Sequence, residues 1–437
     1  MNNILLKDYL IEITKGTTPT TIGGEFIESG VNFVKAECLN TGRIIDKSSL
    51  SYISPEIHKK LNRSILQEDD LLFSIAGHLG KMAIVRKEDL PANTNQAVAI
   101  LRIDQKKGDV NFLYYYLNST QISNYIRKQC AQSVQPNLNL AQVGQLPIIV
   151  YSLPTQKSIA KVLSDLDAKI ELNNKINREL EAMAKTLYDY WFVQFDFPTP
   201  PSSTSGIVGK PYKSSGGKMV YNEELKREIP EGWGVKELGK LIDIQRGISY
   251  KSSDISGGGI PMISLNSFNL DGTYKAGGIK SYSGKYTDKQ IAKSEDLLIA
   301  ATDVTRNADI IGKAIIVPHY YKNDLVFSMD IAKIIPKKDI SSPYLMMLFN
   351  SDHYHNYIKW YASGTIVLHL NMDGVKWYKA EIPPIDLIER FDSFYLPIAN
   401  RINETERQNE QLTALRDWLL PMLMNGQVAS RASATEE

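Results

Sequence analysis

The stretch of this chain that comes nearest to a nucleotide-binding motif is AGHLGKM, residues 76–82. Glycines followed by a lysine can hold phosphate groups, because backbone N–H groups and an ammonium group both bind anions. A P-loop needs a wider spacing between its glycines and a hydroxyl side chain after the lysine, and this stretch has neither. A related stretch near Asp303 lacks these glycines. We therefore interpret AGHLGKM as a tight turn between two strands.

The residue combinations of several enzyme classes do not occur in the sequence. The six histidines form no HExxH motif, and His353 and His355 stand as an isolated pair on a predicted helix. The two Pro-Pro pairs, TPPS and IPPI, lack the polar and aromatic neighbours with which an amino-methyltransferase holds a flipped base. There is no G-x-S-x-G motif, and no Pro-Asp dipeptide of the kind found in many nucleases. These patterns favour a binding protein over an enzyme.

Composition and charge limit the remaining classes. The chain has 437 residues, 43% of them hydrophobic, and a formal net charge of +1, so any nucleic-acid site has to be a local patch. Its two cysteines, Cys38 and Cys130, match no zinc pattern and fit a reducing compartment. The first residues carry charges without a signal-peptide core, and the most apolar run is broken by His78 and Lys81. We expect a cytoplasmic protein without a membrane span.

The chain contains an internal duplication with a period of 232 residues. This offset pairs Ile170 with Ile402, the run NYI at 124–126 with NYI at 356–358, and LN at 138–139 with LN at 370–371. Nearer the start, DLLFSIAGHLGKMAIV resembles DLLIAATDVTRNADIIGKAIIV, which has six extra residues before its Gly-Lys. Because one register holds over such different segments, we interpret the two halves as copies of one unit.

Each copy begins with a globule that we predict to be α+β, with strands predominating. Short β-branched runs such as VNFVKA and DLLFSI alternate with turn residues, and a stretch with helical spacing, VNFLYYYLNSTQISNYIRKQ, follows them. Between the copies, residues 195–220 are rich in Pro, Ser and Gly. Their GKPYKSSGGK segment could bind phosphate, but it lacks P-loop spacing, so a linker is the favoured interpretation.

A long helix is predicted after each globule. From Gln156 to about Phe192, apolar residues recur alternately four and three positions apart, a spacing typical of a coiled coil. Two positions of this seam are nevertheless Asn173 and Asn177, and the second helix is polar at the equivalent places. We expect the helices to pair antiparallel with their polar centres in contact, which would set their register. The alternative is that the asparagines face solvent. Pro397 predicts that the second helix is bent or begins late.

Helix length gives the pair a second possible role. A helix of ~37 residues is roughly 55 Å long, comparable to one or more turns of DNA at about 34 Å each. Such helices could hold two globules apart at a fixed distance. The seam and partner-contact positions are Leu163, Leu166, Ile170, Asn173, Asn177, Leu180 and Leu187 in the first helix, and Ile398, Ile402, Thr405, Asn409, Leu412 and Leu419 in the second.

Taken together, these stretches resemble a known family, the specificity subunits of type I restriction-modification systems. The resemblance covers nearly the whole chain. It rests on the globule entries LKDYLIEITKG and ELGKLIDIQRG, the central stretch from QPNLNLAQVGQLPIIV to YDYWFVQFDFP, the connector GKPYKSSGGKMVYNEELKREIPEGW and the tail LRDWLLPMLMNGQV. The stretch FDSFYLPIAN departs from the acidic pattern usual in the family.

The resemblance implies an α+β fold with two tandem, pseudo-symmetric target-recognition domains, each reading one half of a split, asymmetric double-stranded DNA target. The two helices would form an antiparallel coiled-coil spacer. The expected boundaries are 1–153 for the first recognition domain, 154–194 for the central helix, 195–232 for the connector, 233–383 for the second recognition domain, 384–426 for the C-terminal helix and 427–437 for a flexible tail.

The resemblance also implies that this chain is not catalytic and holds no cofactor or metal. Two modification (methyltransferase) subunits, which bind S-adenosylmethionine, would dock on the conserved helical regions. Restriction subunits using ATP and Mg²⁺ would add translocation and nuclease activity. Two other functions stay open, namely a nucleic-acid enzyme with two tandem active sites and a structural coiled-coil adaptor.

Base readout requires polar and basic side chains on loops. In the first domain the candidates are Lys15, Thr17, Thr18, Lys35, Asn40, Arg43, His78, Lys81, Asn93, Thr94, Asn95 and Gln96. In the second they are Arg246, Ser249, Tyr250, Lys251, Asn266, Lys280, Lys285, Thr305, Arg306 and Asn307. The last three belong to the insertion of six residues. A polar extension in one copy fits two domains with different targets, and an ordinary surface-loop insertion is the alternative.

Overall fold

The computed structural model describes residues 3–40, 42–130, 137–199, 207–305, 307–321 and 323–427. The chain divides into two compact units, one formed by residues 1–170 and 411–437 and the other by residues 171–410. This division passes through both long helices, so each unit contains one globule and a part of each helix.

Among its described residues, the first globule has two main sheets, a further pair of strands and four α-helices. Its strands are β1 (Asn3–Leu5), β2 (Leu10–Lys15), β3 (Val31–Val34), β4 (Ser51–Ile53), β5 (Leu71–Ser74), β6 (Met82–Ile84), β7 (Ala92–Thr94), β8 (Val98–Ile103) and β9 (Pro147–Ile149). Its helices are α1 (Pro55–Lys60), α2 (Val110–Leu117), α3 (Thr120–Cys130) and α4 (Leu140–Gly144). One sheet is antiparallel in the order β2-β8-β5-β6, and the other has the order β4-β3-β7 with β3 and β7 parallel. Strands β1 and β9 form a separate antiparallel pair.

A long helix and a short hairpin connect the globules. Helix α5 (Leu153–Tyr188) ends in a π-helical turn, Asp189–Val193. The hairpin consists of β10 (Met219–Asn222) and β11 (Arg227–Pro230). In this connector Phe197 stacks on Trp233 with ring centroids 5.6 Å apart, and both belong to the core of the second globule. The connector is therefore anchored in the core of the second globule at Phe195, Phe197 and Ile229, whereas most of its other described residues are exposed or half-buried.

The second globule repeats the topology of the first. Its strands are β12 (Gly234–Glu237), β13 (Ile242–Arg246), β14 (Ile255–Ile263), β15 (Lys280–Tyr282), β16 (Ile291–Ala292), β17 (Leu297–Ala300), β18 (Thr302–Asp303), β19 (Ala314–Ile316), β20 (Leu325–Phe327), β21 (Ile331–Pro336), β22 (Ala362–Ser363), β23 (Leu368–Leu370) and β24 (Lys379–Ile382). Its helices are α6 (Ser342–Phe349), α7 (Asp352–Ile358) and α8 (Met372–Trp377), and α9 (Ile385–Met424) follows them.

Strand order confirms the predicted duplication. The sheet β13-β21-β17-β19 matches β2-β8-β5-β6, the parallel pair β14 and β20 matches β3 and β7, and β12-β24 matches β1-β9. The repeated Leu-Asn dipeptides also have a structural reason. Asn139 and Asn371 are the N-cap residues of α4 and α8, where their Oδ1 atoms accept hydrogen bonds from backbone N–H groups at 2.8 and 3.0 Å.

Both long helices are fixed to the globules by buried apolar residues. In the first unit, Leu163 of α5 and Leu423 of α9 belong to the globule's core. In the second unit, Tyr188 of α5 and Phe391 of α9 do the same. Complete burial of one such side chain contributes about 1.5–3 kcal/mol. Each helix segment is therefore part of its unit's core.

Helix α9 begins earlier than its proline predicts. It starts at Ile385 and continues through Pro397 to Met424, so the expectation of a late start is wrong. Pro397 itself is exposed, whereas Tyr395 is buried in the core and Ile398 packs against it. Packing on both sides of the proline offsets the hydrogen bond that its nitrogen cannot donate.

Candidate nucleic-acid interface

Loops from both sheets of the first globule meet at one edge. Because β3 and β7 are parallel, the loops that follow them leave at the same end. The N–H of Thr17, after β2, donates to the carbonyl of Thr94 at 3.2 Å, and the N–H of Ile75, after β5, donates to the carbonyl of Ala97 at 2.8 Å. Four strands thus contribute to a single surface. We call it the first loop edge, consisting of residues 15–18, 35, 76–81 and 95–97.

The second globule has the same arrangement. The N–H of Ile248 donates to the carbonyl of Phe327, and that of Ala301 to the carbonyl of Asp330, both at 2.8 Å. The N–H of Leu370 bonds the carbonyl of Ala301 at 2.8 Å, which adds the hairpin formed by β22 and β23. We call this surface the second loop edge, consisting of residues 246–250, 264–266, 280, 302–305, 307, 328–330 and 363–369.

Equivalent glycines allow the loops to approach closely in both copies. A Cβ atom on Gly16 would lie 1.9 Å from the carbonyl oxygen of Thr94, and one on Gly247 would lie 2.1 Å from that of Ser328. No larger residue fits either position without moving the backbone. The repeated segments LKDYLIEITKG and ELGKLIDIQRG therefore each end at the glycine that makes this close contact.

The first loop edge presents most of the candidate side chains of its domain. Lys15, His78, Lys81 and Gln96 are exposed, and Thr17, Thr18, Lys35 and Asn95 are partly exposed. Such amide, hydroxyl, imidazole and ammonium groups can bind base edges and phosphates. The edge therefore provides side chains suited to both sequence readout and phosphate contact.

Two first-domain candidates have structural roles instead. Asn93 and Thr94 are completely buried. The Nδ2 of Asn93 donates to the carbonyl of Leu61 at 3.0 Å, and the Oγ1 of Thr94 donates to the carbonyl of Val34 at 2.7 Å. Their polar atoms already have partners inside the domain, so this placement contradicts a direct contact with bases.

Two further candidates lie off the first loop edge. Arg43 is only partly exposed, and its Nη1 donates to Asn111 of α2 at 3.0 Å. Asn40 is exposed after the 3-10 turn Ala36–Leu39. The carbonyl of Arg43 accepts a hydrogen bond from the N–H of Ile84 at 2.9 Å, which places Arg43 at the end of the sheet where β5 begins, away from the loops after β2, β5 and β7.

In the second domain, one pair of candidates is in direct contact. The Nζ of Lys280 lies 3.1 Å from the Oη of Tyr250 and 5.5 Å from the centre of its ring. Residues Arg246, Ser249, Lys251, Asn266 and Asn307 are exposed. Lys285 is also exposed, but it lies beyond the opposite end of β15, away from the second loop edge. Arg306 lies outside the described residues.

A buried carboxylate organises the inserted loop of the second domain. Asp303 has no exposed surface, and its two oxygens accept hydrogen bonds from the N–H groups of Thr305 at 2.6 Å, Ile310 at 2.6 Å and Ile311 at 3.0 Å. The Oγ1 of Thr305 accepts a further bond from the N–H of Asp309 at 2.8 Å. The described residues on either side of Arg306 are therefore tied by backbone hydrogen bonds to Asp303 and Thr305.

The polar centres of the two long helices are paired, as predicted. In the second unit, the Nδ2 of Asn173 donates to the Oδ1 of Asn409 at 2.9 Å, and Thr405 donates to the Oδ1 of Asn177. The Nδ2 of Asn409 bonds Asn174 at 2.8 Å. Partner numbers fall along α9 as they rise along α5, so the helices are antiparallel. Asn173 and Thr405 are completely buried, which excludes the solvent-facing alternative. We call these five residues the polar layer.

The other seam positions are buried or half-buried, as their spacing predicts. This group consists of Leu163, Leu166, Ile170, Leu180, Leu187, Ile398, Ile402, Leu412 and Leu419.

An ion pair that the sequence did not reveal lies in the first unit. The Nη1 of Arg416, on α9, donates to the Oδ1 of Asp167, on α5, at 2.8 Å. The Oη of Tyr115, on α2, donates to the other carboxylate oxygen at 2.5 Å. Burial, and then the charge of Asp167, raise the pKa of Tyr115. Arg416 stood out in the sequence only as a charged residue on an apolar seam.

A cavity of about 750 Å³ lies in the second unit between the two helices and the globule. Glu181 of α5 and Glu406 of α9 both line it. Burial, and then the negative charge of Asp271, raise the pKa of Glu181 to about 7. Burial, and then the charges of Glu181 and Glu410, raise the pKa of Glu406 to about 8. At neutral pH these carboxyl groups therefore retain protons that exposed glutamates lose.

The AGHLGKM stretch forms a tight turn between β5 and β6, as predicted. The N–H of Lys81 donates to the Oγ of Ser74 at 2.8 Å. Gly77 and Gly80 have φ angles of +75° and +78°, which other residues rarely adopt. Within the described ranges, no group of His, Cys, Asp and Glu is arranged to hold a metal ion. None of the described helices combines the length and apolarity needed to cross a membrane.

Comparisons with known proteins place most of the chain in one family. The family model described as type I restriction modification DNA specificity domain matches it twice, at residues 6–182 and 230–409. The type I restriction enzyme MjaIX specificity subunit of Methanocaldococcus jannaschii is 25% identical over 95% of this chain and 91% of its own. The HindI specificity subunit of Haemophilus influenzae is 24% identical over 72% of this chain and 77% of its own length. A crystal structure of the type I restriction-modification S subunit from M. genitalium has the same fold, with a TM-score of 0.56, 14% identity, and coverage of 97% of this chain and 95% of that one.

Proposed function

The chain belongs to the type I restriction-modification DNA specificity family, and on that premise we propose that it is the non-catalytic, sequence-reading subunit of a type I restriction-modification complex. Each globule is a target-recognition domain that reads one half of a bipartite, asymmetric DNA target. The observation that carries this proposal is the pair of loop edges, which share one backbone architecture and differ in their side chains. Two copies of one scaffold with different side chains suit two different half-sites.

The loop edges supply the chemistry that such reading requires. Exposed amides and hydroxyls can bond base edges in the major groove, while lysines, arginines and backbone N–H groups position the phosphates. The net charge of +1 fits this division, because only the loop edges need to attract DNA. A structural adaptor without DNA contact would have no use for the two polar, preorganised edges.

Exposed apolar residues on the helices support docking of partner subunits. In the first unit, Leu415 and Trp418 are one turn apart on α9 and exposed by 43% and 61%. In the second unit, Leu172 and Met183 of α5 are exposed by 51% and 59%, and their spacing places them on one face. Large exposed side chains on otherwise well-packed helices are typical of protein interfaces. We assign these faces to two modification subunits, which bring S-adenosylmethionine, while restriction subunits bring ATP and Mg²⁺.

Methylome sequencing tests the proposal directly. Co-expression of the full-length chain with its modification subunits in a host without other methylation should produce one bipartite methylated motif. The matched control expresses the modification subunits alone and should give no sequence-specific methylation. Absence of a motif with all subunits present and assembled would contradict the proposed function.

A domain exchange assigns each half of that motif. Replacement of residues 1–153 by the corresponding domain of a relative should change one half of the motif and leave the other unchanged. The reciprocal exchange of residues 233–383 should change only the other half. A change in both halves from one exchange would contradict independent reading by the two domains.

A further inference from the structure

The second loop edge exposes three apolar side chains at its tips. Val304, Met329 and Ile366 are exposed by 65%, 51% and 87%. Asp303 is paired with Leu368 in antiparallel strands, so the chain leaving β18 at Val304 runs beside the hairpin tip that contains Ile366. Met329 belongs to the same edge, because the carbonyl of its neighbour Asp330 accepts a hydrogen bond from the N–H of Thr302 in β18 at 3.1 Å. The three side chains therefore lie on adjoining loops of one edge, and we call them the apolar tips.

The first loop edge has a polar residue at an equivalent position. Leu101 of β8 is opposite Leu71, and Ile334 of β21 is opposite Leu297, which aligns the two sheets. By this register Met329 corresponds to Gln96, a side chain of nearly the same length. The two domains thus present an amide and a thioether at the same place, so their target chemistry differs there.

We propose that the second domain recognises its half of the target through the 5-methyl groups of thymines in the major groove, which the apolar tips contact. This inference rests on the proposed function, because it names what the second loop edge reads. The thymine methyl is the apolar group that distinguishes a base pair in the major groove, and aliphatic side chains contact it there. Contact between such a side chain and a thymine methyl removes apolar surface of both from water, which favours binding.

Backbone hydrogen bonds and a glycine turn shape two of the loops that carry the apolar tips. The carboxylate of Asp303 fixes the start of the inserted loop, as described above. At the hairpin, Gly364 has a φ of +139°, and a Cβ there would lie 2.0 Å from the carbonyl oxygen of Val367. Glycine at this position therefore permits the tight turn that presents Ile366.

The test uses the complex of this chain with its modification subunits and duplexes carrying the motif found by methylome sequencing. Thymines are replaced by uracil in one half-site at a time, which removes methyl groups and leaves base pairing unchanged. We expect affinity to fall about fourfold for each contacted methyl in the half-site of the second domain. When uracil replaces thymine in the other half-site, any change in affinity should be the same for the wild type and for variants of the apolar tips.

Substitutions connect this preference to the apolar tips. Ile366→Ala and Met329→Ala should each weaken binding to the thymine duplex and reduce the difference between thymine and uracil. Both residues are largely exposed, so the variants should fold. Gln96→Ala in the first domain is the matched control and should leave the difference intact. In a further pair of duplexes, one thymine of the second half-site is replaced by cytosine or by 5-methylcytosine. Because these two bases differ only in the methyl group, a higher affinity for the 5-methylcytosine duplex would show that the methyl itself is recognised.

Several results would overturn the proposal. They are a second half-site without thymine on either strand, an unchanged affinity with uracil, and a uracil penalty that persists in both variants. A change in self-association or subunit assembly without a change in the penalty would assign the apolar tips to a protein contact instead. Failure of the proposed function is distinguishable, because it would appear earlier as the absence of any bipartite motif.

Discussion

At the scale of single residues, the contact of Asp167 with Arg416 and Tyr115 links three helices of the first unit through one buried carboxylate. A buried carboxylate is tolerated only while its partners remain, because a lone charge loses its hydration without compensation. Here a guanidinium and a phenol from two different helices supply the partners. The three side chains therefore join α9 and α2 through α5.

Removal of the cation should destabilise the protein more than removal of the phenol. We expect Arg416→Met to lower the free energy of unfolding by about 3 kcal/mol, and Tyr115→Phe to lower it by about 1 kcal/mol. Urea unfolding of the full-length chain measures both. Arg407→Met, at an exposed position of the same helix, is the control and should change little. Equal small effects of all three substitutions would show that the carboxylate is solvated.

Glu406 makes stability depend on pH. Its pKa is raised from an ordinary 4.5 to about 8 in the folded protein, mainly by burial and by Glu181. A carboxyl group with a raised folded pKa stabilises fully below its unfolded pKa, and this contribution is lost as pH rises through the folded value. Stability should therefore fall between about pH 5 and pH 8.

Glu406→Gln should remove most of that dependence. The variant should equal the wild type near pH 4.5 and exceed it by about 1–2 kcal/mol at pH 8, a value reduced for the partial exposure of the side chain. Unfolding curves recorded across this range provide the measurement. The exposed Glu404→Gln on the same helix should show no such trend. A wild type and variant that stay parallel from pH 5 to 8 would contradict the raised pKa.

At the scale of elements, the polar layer determines how the two helices align. Leucines at these positions could be buried equally well in several registers of the two helices. The amide and hydroxyl groups form their hydrogen bonds in only one of these registers. Asn173 also has a buried Oδ1 without a hydrogen-bond partner, so the layer is not fully satisfied. The polar layer therefore specifies the helix register, and the unpartnered oxygen lowers the stability of the helix pair.

Replacement of Asn173 and Asn177 by Leu should relax the helix register. We expect a changed or heterogeneous gap in the methylated motif, or impaired subunit assembly, with the same bases in both half-sites. Methylome sequencing and size-exclusion chromatography of the complex detect these outcomes. Lys175→Leu, exposed on the same helix, serves as the control. Altered bases with an unchanged gap would contradict the role assigned to the polar layer.

Sequence patterns predicted the elements better than their packing. The repeat of 232 residues and the coiled-coil spacing are local or periodic, so the two globules, α5 and the pairing of the polar centres could be expected. The burial of Asn93 and Thr94 could not, because it depends on carbonyl groups of Leu61 and Val34, distant in sequence. Pro397 misled for a similar reason, since core packing outweighed a local preference.

At the scale of the whole molecule, duplication explains how one chain can read an asymmetric target. The two copies share their main sheet order, the glycines at the loop contacts and the Asn helix caps, so the exposed side chains of the loop edges take little part in packing this shared scaffold. The loop edges are then free to diverge, as Gln96 and Met329 have done. The helices α5 and α9 remain common to both units and are where the gap between half-sites would be set.

A longer helix pair should therefore change the gap and nothing else. Insertion of four residues after Glu179 in α5, matched by four after Ile402 in α9, would add about 6 Å at 1.5 Å per residue, or about two base pairs. We expect the methylated motif to keep both half-sites and to gain about that spacing. An insertion of equal length in the turn between β10 and β11 controls for the added residues and should leave the gap unchanged. A motif with altered bases, or with the original gap in a correctly assembled complex, would show that the spacing is determined outside the helix pair.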